Sequence, residues 1–295
     1  MFTGGHPMKI STEIGSIAQR VGREKAIAFC KEAGFDAFDL SMTAMTRYDA
    51  QQHCIVTNSD DPLTGDGYLS YIRQLRRIAD DIGIPCNQSH APFPIENPLV
   101  YSYLQRAIEC TAEMGASICV IHPDNNKSPE ENAKIYFKLL PFAKAHNVKI
   151  ATENMWNWDL KEDHALPAAC SHHDNFLAHI QAVNDPSFVA CVDLGHAEMF
   201  GLNTNAEQMI RTLGDYVQAL HIHDIDLHND NHQIPFSLKI NYEPIIRALK
   251  DIGYQGYFTL EAVCYLVEAP ELDTFTGVCN LAKAARRLAD MFDAL

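Results

Sequence analysis

Short β-type runs alternate with helical segments from one end of the chain to the other. No other feature restricts the fold as much. The runs are residues 8–16, 35–42, 84–90, 117–122, 148–153, 188–193, 217–223 and 257–261. Helices are expected over 23–33, 68–82, 97–114, 128–147, 176–183, 206–213, 242–252 and 275–295. Gly34, Gly83, Gly115 and Gly253 each follow a helix, where a left-handed residue can close the last turn. The SPEE stretch at 128–131 reads as a capping box, with Pro129 in the first helical position and Glu131 in the third. Strand-then-helix repetition implies parallel strands with right-handed crossovers. Eight such units close most simply into a (β/α)8 (TIM) barrel of the α/β class. A doubly wound open sheet is the alternative, but no GxGxxG follows the first run and no Walker-type loop occurs. With no internal boundary or low-complexity tract, residues 1–295 are expected to form one barrel domain.

Composition narrows the partners. The net charge of −15 leaves no basic footprint for a nucleic-acid backbone or an anionic membrane, so neither is expected as a partner. No apolar run reaches 18 residues, and MFTGGHPMKIST lacks the apolar core of a signal peptide, so the expected location is cytoplasmic. The nine cysteines are scattered and form no CxxC. Cys86, Cys119 and Cys191 fall inside apolar runs, where a thiol acts as a small hydrophobe. Association into a homo-oligomer stays open.

Barrel enzymes place their reactive groups at the C-terminal ends of the strands. Here run 3 ends at His90, run 4 at His122, run 5 at Glu153, run 6 at Asp193 with His196 just beyond, run 7 at His221 and run 8 at Glu261. Asp230 and His232 follow in the loop after run 7. Six consecutive strands thus deliver a metal-competent side chain to one rim. Such groups are costly to bury unless they are paired or bound to metal. A set rich in carboxylate oxygen suits Mn²⁺ above all, with Zn²⁺, Mg²⁺ or Co²⁺ as alternatives. A divalent ion that polarises a carbonyl acidifies the neighbouring C–H. Glu153 and Glu261, on opposite sides, could then remove and return a proton. That chemistry epimerises or isomerises a sugar through a metal-bound enediolate. A keto-polyol dehydratase would use the same first step.

Several motifs carry a resemblance: SHAPF, IHP, ATEN, VDLGH, HIHD followed by DNH, and TLE, in this order. Together they resemble the xylose isomerase-like barrel superfamily of sugar (phosphate) isomerases and epimerases, which also contains endonuclease IV. The resemblance implies a one-metal set of Glu153, Asp193, His221 and Glu261, with both glutamates doubling as acid and base. It also implies that His196 orients substrate while His90 and His122 line the pocket. The ketose 3-epimerase branch carries an Arg shortly after the strand-7 histidine, where this chain has Leu227, His228 and Asn229. The residue types also match the three-zinc set of endonuclease IV: His90, His122, Glu153, Asp193, His196, His221, Asp230, His232 and Glu261. A zinc phosphodiesterase is therefore the alternative function, although Asp124 stands where that enzyme has glycine. A third possibility is a sugar-binding barrel without catalysis.

Other residues have two readings each. Trp156 and Trp158 could stack on a sugar face or pack beneath a loop, and Glu13 could contact substrate hydroxyls or be solvated. On an extended strand His223 faces away from His221, which suggests a structural partner rather than a ligand. Asp224 could orient His221 or cap the next turn. His164, His172 and His173 read as a solvated lid surface. The rim's basic residues, Arg47, Lys127, Lys161 and Lys239, do not cluster, which favours an unphosphorylated sugar or polyol substrate.

Overall fold

A computed structural model describes residues 7–295; the first six residues of the N-terminal stretch lie outside the described part. Eight strands form the barrel: β1 (Ile10–Thr12), β2 (Phe38–Ser41), β3 (Cys86–His90), β4 (Ile118–Val120), β5 (Lys149–Glu153), β6 (Phe188–Asp193), β7 (Val217–His221) and β8 (Phe258–Leu260). Strands β2 to β7 pair in sequence order as one parallel sheet, and β8 pairs in parallel with β1. Single parallel bridges, Glu13 to Asp39 and Ile222 to Leu260, join the two pieces into a ring. The expected (β/α)8 barrel is therefore present.

Local chemistry explains most of the elements. The capping box forms as read. Ser128 Oγ accepts the Glu131 N–H at 3.3 Å, and Glu131 Oε2 accepts the Ser128 N–H at 3.0 Å. Gly34 and Gly83 sit at φ +94° and +69°, the left-handed conformation that their helix ends require. Inside the ring, Val120, Ala151, Val189, Cys191 and Ala219 form a small apolar plug. The larger core fills the space between strands and helices. Among the described residues no helix is long and apolar enough to cross a membrane.

Four readings need correction. Run 1 does not extend over 8–16, because a helix begins at Gly15 (Gly15–Val21). The cause is local: the Glu13 carboxylate accepts the Gly15 N–H at 2.6 Å and that of Ser16, whose hydroxyl also donates to it. The helix read over 97–114 is two helices, Pro98–Ser102 and Leu104–Met114, broken where Tyr103 N–H turns back to the Val100 carbonyl. The loops after β2 and β5 each contain an antiparallel hairpin: Thr46–Asp49 with Cys54–Thr57, and Trp156–Asp159 with His164–Pro167. His164 therefore lies in a hairpin strand, while His172 caps the helix His173–Val183 and accepts the Asp174 N–H. None of the three histidines belongs to a simple solvated lid.

Glu13 makes the barrel sensitive to pH. Burial raises its carboxyl to about 7; the Ser16 hydroxyl pulls the other way, and the nearby Glu261 adds to the rise. The folded state thus binds a proton at a pH where the unfolded chain has lost it. The stabilisation is complete below the unfolded value near 4.5 and is lost as pH rises through about 7. In metal-free protein, wild type is expected to lose roughly 2–3 kcal/mol of stability between pH 5 and pH 8 relative to Glu13→Gln. Urea unfolding at the two pH values checks this; parallel curves for the two proteins would refute it.

Candidate metal centre

The strand ends converge on one cavity of about 610 Å³ at the C-terminal mouth of the barrel. Glu13, His90, His122, Glu153, Trp156, His196, Asp230, His232 and Glu261 all line it. Asp193 and His221 are fully buried and reach it through neighbours. The wall also carries Phe93, Pro94, Met155, Val263 and Val267, and among the described residues no Lys or Arg lines it.

Two side-chain groups meet there. The first centres on Glu153 at the end of β5. Its Oε1 lies 3.1 Å from His221 Nδ1, and its Oε2 lies 3.2 Å from His122 Nε2 and 3.5 Å from His90 Nε2. Glu261 closes the group, 3.6 Å from His221 Nδ1 and 3.9 Å from His90 Nε2. Burial opposes ionisation of Glu153, yet the adjacent His221 and His122 hold its carboxyl well below the usual range. The second group centres on Asp230, whose Oδ2 lies 3.1 Å from His232 Nε2 and 3.2 Å from His196 Nε2. Asp193 joins this group through His223, which donates Nε2–H to its Oδ1 at 3.0 Å. Burial again opposes the charge on Asp230, and His196 and His232 outweigh it. The reciprocal effect lifts His232 to about 9, against its own burial.

The histidines are mounted in a way that suits a cation. His90 donates Nδ1–H to the Ala91 carbonyl at 2.8 Å, His196 to that of Asn154 at 2.9 Å, and His232 to that of Glu261 at 2.8 Å. Each ring thus spends its outer N–H on fixed backbone and turns Nε2 into the cluster, as metal-ligating histidines do. Glu153 Oε2 and Asp230 Oδ1 are buried with no hydrogen-bond partner. Unpartnered buried carboxylate oxygens beside inward-facing imidazole nitrogens form a donor set that fits a divalent cation. The ligand atoms of His196, His223, Asp230 and His232 all lie within 4.8 Å of one another, as do those of His90, His122 and Glu153.

Some placements depart from the sequence reading. His223 does not point away from the site. Ladder pairing of β7 ends at His221, and beyond Ile222 the two-residue alternation no longer applies. The His223 ring is fully buried between Asp193 and His232, stacked on the latter at 3.8 Å. It donates to Asp193, and its ring nitrogen also stands within the group of His196, Asp230 and His232 that could hold an ion, so it lies inside the site. Asp224 caps the turn rather than orienting His221: it accepts the N–H groups of Ile225, Leu238 and Ile240. Trp156 lies on the cavity wall and donates Nε1–H to Asp230 Oδ2 at 3.3 Å. Trp158 meets its ring edge-on. Cys191 reaches within 4.8 Å of the Glu153 and His221 ligand atoms, but burial pushes its thiol up to about 12, so it remains a small neutral group.

Asn154 was missed altogether. Its side chain exchanges two hydrogen bonds with the Asp193 backbone, at 2.8 and 2.9 Å, and its carbonyl orients His196. Its place beside Glu153 in ATEN was the available signal.

The closed parallel ring with carboxylates and imidazoles at its C-terminal mouth defines a (β/α)8 barrel of the metal-competent kind. The chain belongs to the xylose isomerase-like TIM barrel family, whose model matches residues 27–293. An uncharacterized protein of Methanocaldococcus jannaschii is 24% identical over 221 residues, 67% of this chain and 71% of that protein. Fructoselysine 3-epimerase of Escherichia coli O157:H7 is 40% identical over 60 residues, which span 20% of this chain and 22% of that enzyme. Among solved structures, a D-tagatose 3-epimerase-like protein superposes with TM-score 0.70 at 18% identity, covering 97% of this chain and 99% of that one. The IolI protein with a bound zinc atom superposes with TM-score 0.73 at 15% identity, with the same coverages. These structural likenesses speak for the fold.

Proposed function

We propose that this chain is a divalent-metal-dependent sugar isomerase or epimerase working as one barrel domain. The observation that carries the reading is the pair Glu153 and Glu261, both on the cavity wall and joined through His221. In this reading Glu153, Asp193, His221 and Glu261 hold the ion, with Mn²⁺ the first choice and Zn²⁺, Mg²⁺ or Co²⁺ alternatives. The bound ion supplies Lewis-acid polarisation of a substrate carbonyl. Glu153 or Glu261 takes the proton from the carbon beside that carbonyl, and the other carboxylate delivers one. Return to the same carbon gives the epimer; return to its neighbour gives the aldose–ketose isomer. His90, His122 and His196 orient hydroxyls, Trp156 covers an apolar sugar face, and Glu13 closes one side. The wall's lack of Lys and Arg among the described residues suits an unphosphorylated sugar or keto-polyol, and the epimerases among the similar proteins support the same substrate class. Dehydration of a keto-polyol begins with the same proton removal.

One observation favours a second reading. The group around Asp230, with His196 and His232, can take a further ion, as a zinc phosphodiesterase requires. The chain's net charge of −15 weighs against a phosphodiester backbone as substrate.

One experiment separates them. Metal-free protein is reconstituted with Mn²⁺ or Zn²⁺, its ion content is measured, and it is incubated with unphosphorylated ketoses and aldoses in D₂O. Deuterium entering a carbon beside the carbonyl is the expected result. No incorporation across the panel at full metal occupancy would sink the isomerase reading. Cleavage of an abasic-site oligonucleotide with three zinc ions per chain would replace it.

A further inference from the structure

His221 is mounted differently from the other site histidines. His90, His196 and His232 turn Nε2 inward and anchor Nδ1–H on a backbone carbonyl. His221 turns Nδ1 inward, 3.1 Å from Glu153 Oε1 and 3.6 Å from Glu261 Oε2. Its outer nitrogen, Nε2, is buried and has no hydrogen-bond partner. The group facing it is Asp39 on β2, whose Oδ2 lies 3.5 Å away. Asp39 is itself fully buried in the barrel interior, an unusual place for a carboxylate, and its Oδ1 is unpartnered. Gln88 on β3 fixes this side chain by donating Nε2–H to Oδ2 at 2.9 Å. The buried ring nitrogen has no partner, and the nearest acceptor is Asp39 Oδ2, 3.5 Å away, which takes one hydrogen from Gln88 and has a lone pair left; the nitrogen is satisfied when Nε2 carries a proton directed at that oxygen. The Nδ1 lone pair is then free to face the cluster.

We propose that Asp39 is the positioning residue of the centre, accepting Nε2–H from His221 and so holding the ring in the tautomer that presents Nδ1 to a divalent cation. The proposal rests on the reading of His221 as a ligand. Asp39 touches neither substrate nor ion; it acts through His221. The sequence hides it because alternation in FDAFDLSM marks one polar face, and in a barrel that face points into the ring rather than to solvent.

Protein labelled with ¹⁵N-histidine tests this without a turnover assay. The His221 signals are assigned by their loss in His221→Gln, and spectra are recorded metal-free and with Zn²⁺. A proton on His221 Nε2 in both states is the expected result. Zn²⁺ affinity is then measured by competition with a chelator. Asp39→Leu, which removes the acceptor, is expected to weaken it about 10–100-fold. Asp39→Asn keeps an acceptor oxygen and is expected to restore most of the affinity. Far-UV circular dichroism checks that each variant is folded. A bare Nε2 in wild type overturns the proposal, as does Asp39→Leu binding Zn²⁺ within about twofold of wild type. If Asp39→Leu fails to fold, the wild-type spectra and Asp39→Asn still decide the matter. If wild type binds no divalent ion, the metal reading fails, while the metal-free spectrum still decides whether Asp39 holds Nε2–H.

Discussion

Glu153→Gln and Glu261→Gln are each expected to slow sugar interconversion by about 10²–10⁴-fold, the usual contribution of a positioned acid or base. Glutamine keeps the shape of the side chain and removes the oxygen that exchanges a proton. At Glu153 the change also alters the partner of His221 Nδ1, now 3.1 Å from Oε1, so part of the loss can come through weaker ion binding. Assays at saturating metal, with ion content measured alongside, separate the two effects. In a two-base reaction the variants are not equivalent. Each retains wash-in of solvent deuterium from the epimer facing its remaining carboxylate and loses it from the other. Turnover within about tenfold of wild type at full occupancy would remove that glutamate from the acid–base role.

Much of this site was legible because a barrel writes its chemistry at strand ends. Glu153, Asp193 and His221 are the last residues of β5, β6 and β7, where the apolar runs stop. What the sequence concealed depends on where each polar side chain turns. The helix at Gly15 starts because Glu13 supplies a carboxylate to its first N–H groups. The two rim hairpins are built of four-residue strands that are only partly buried, and an alternation as short as Trp156-Asn157-Trp158-Asp159 does not stand out from a loop. His223 was misdirected by a two-residue period that holds only as far as the strand is paired. Asp39 was passed over because a polar residue on an alternating strand normally faces water. In a closed ring one face meets the helices and the other meets the interior.

Gly195, in the VDLGH motif, shows how closely the second group is packed. A Cβ at this position would lie 2.0 Å from His223 Cε1, 2.5 Å from Nε2 and 2.7 Å from Nδ1. Glycine is required here for space, since its backbone is not in the left-handed region. The His223 ring has little freedom to retreat. It is fully buried, it stacks on His232 at 3.8 Å, and Tyr242 donates its hydroxyl to the His223 carbonyl. Gly195→Ala is therefore expected to displace the ring, break its 3.0 Å hydrogen bond to Asp193 and cost about 1–3 kcal/mol of stability, the usual range for overpacking. Because Asp193 loses the partner that aims it, divalent-ion affinity is expected to fall about 10–100-fold as well. The double variant Gly195→Ala with His223→Ala separates the two losses. Removing the ring relieves the clash, so any stability the double variant regains over Gly195→Ala measures the overpacking, while Asp193, left without its partner, keeps the ion weakly held. Thermal unfolding and chelator competition on the three proteins give both quantities. A Gly195→Ala protein that binds its ion as wild type does would show that His223 is not needed to orient Asp193.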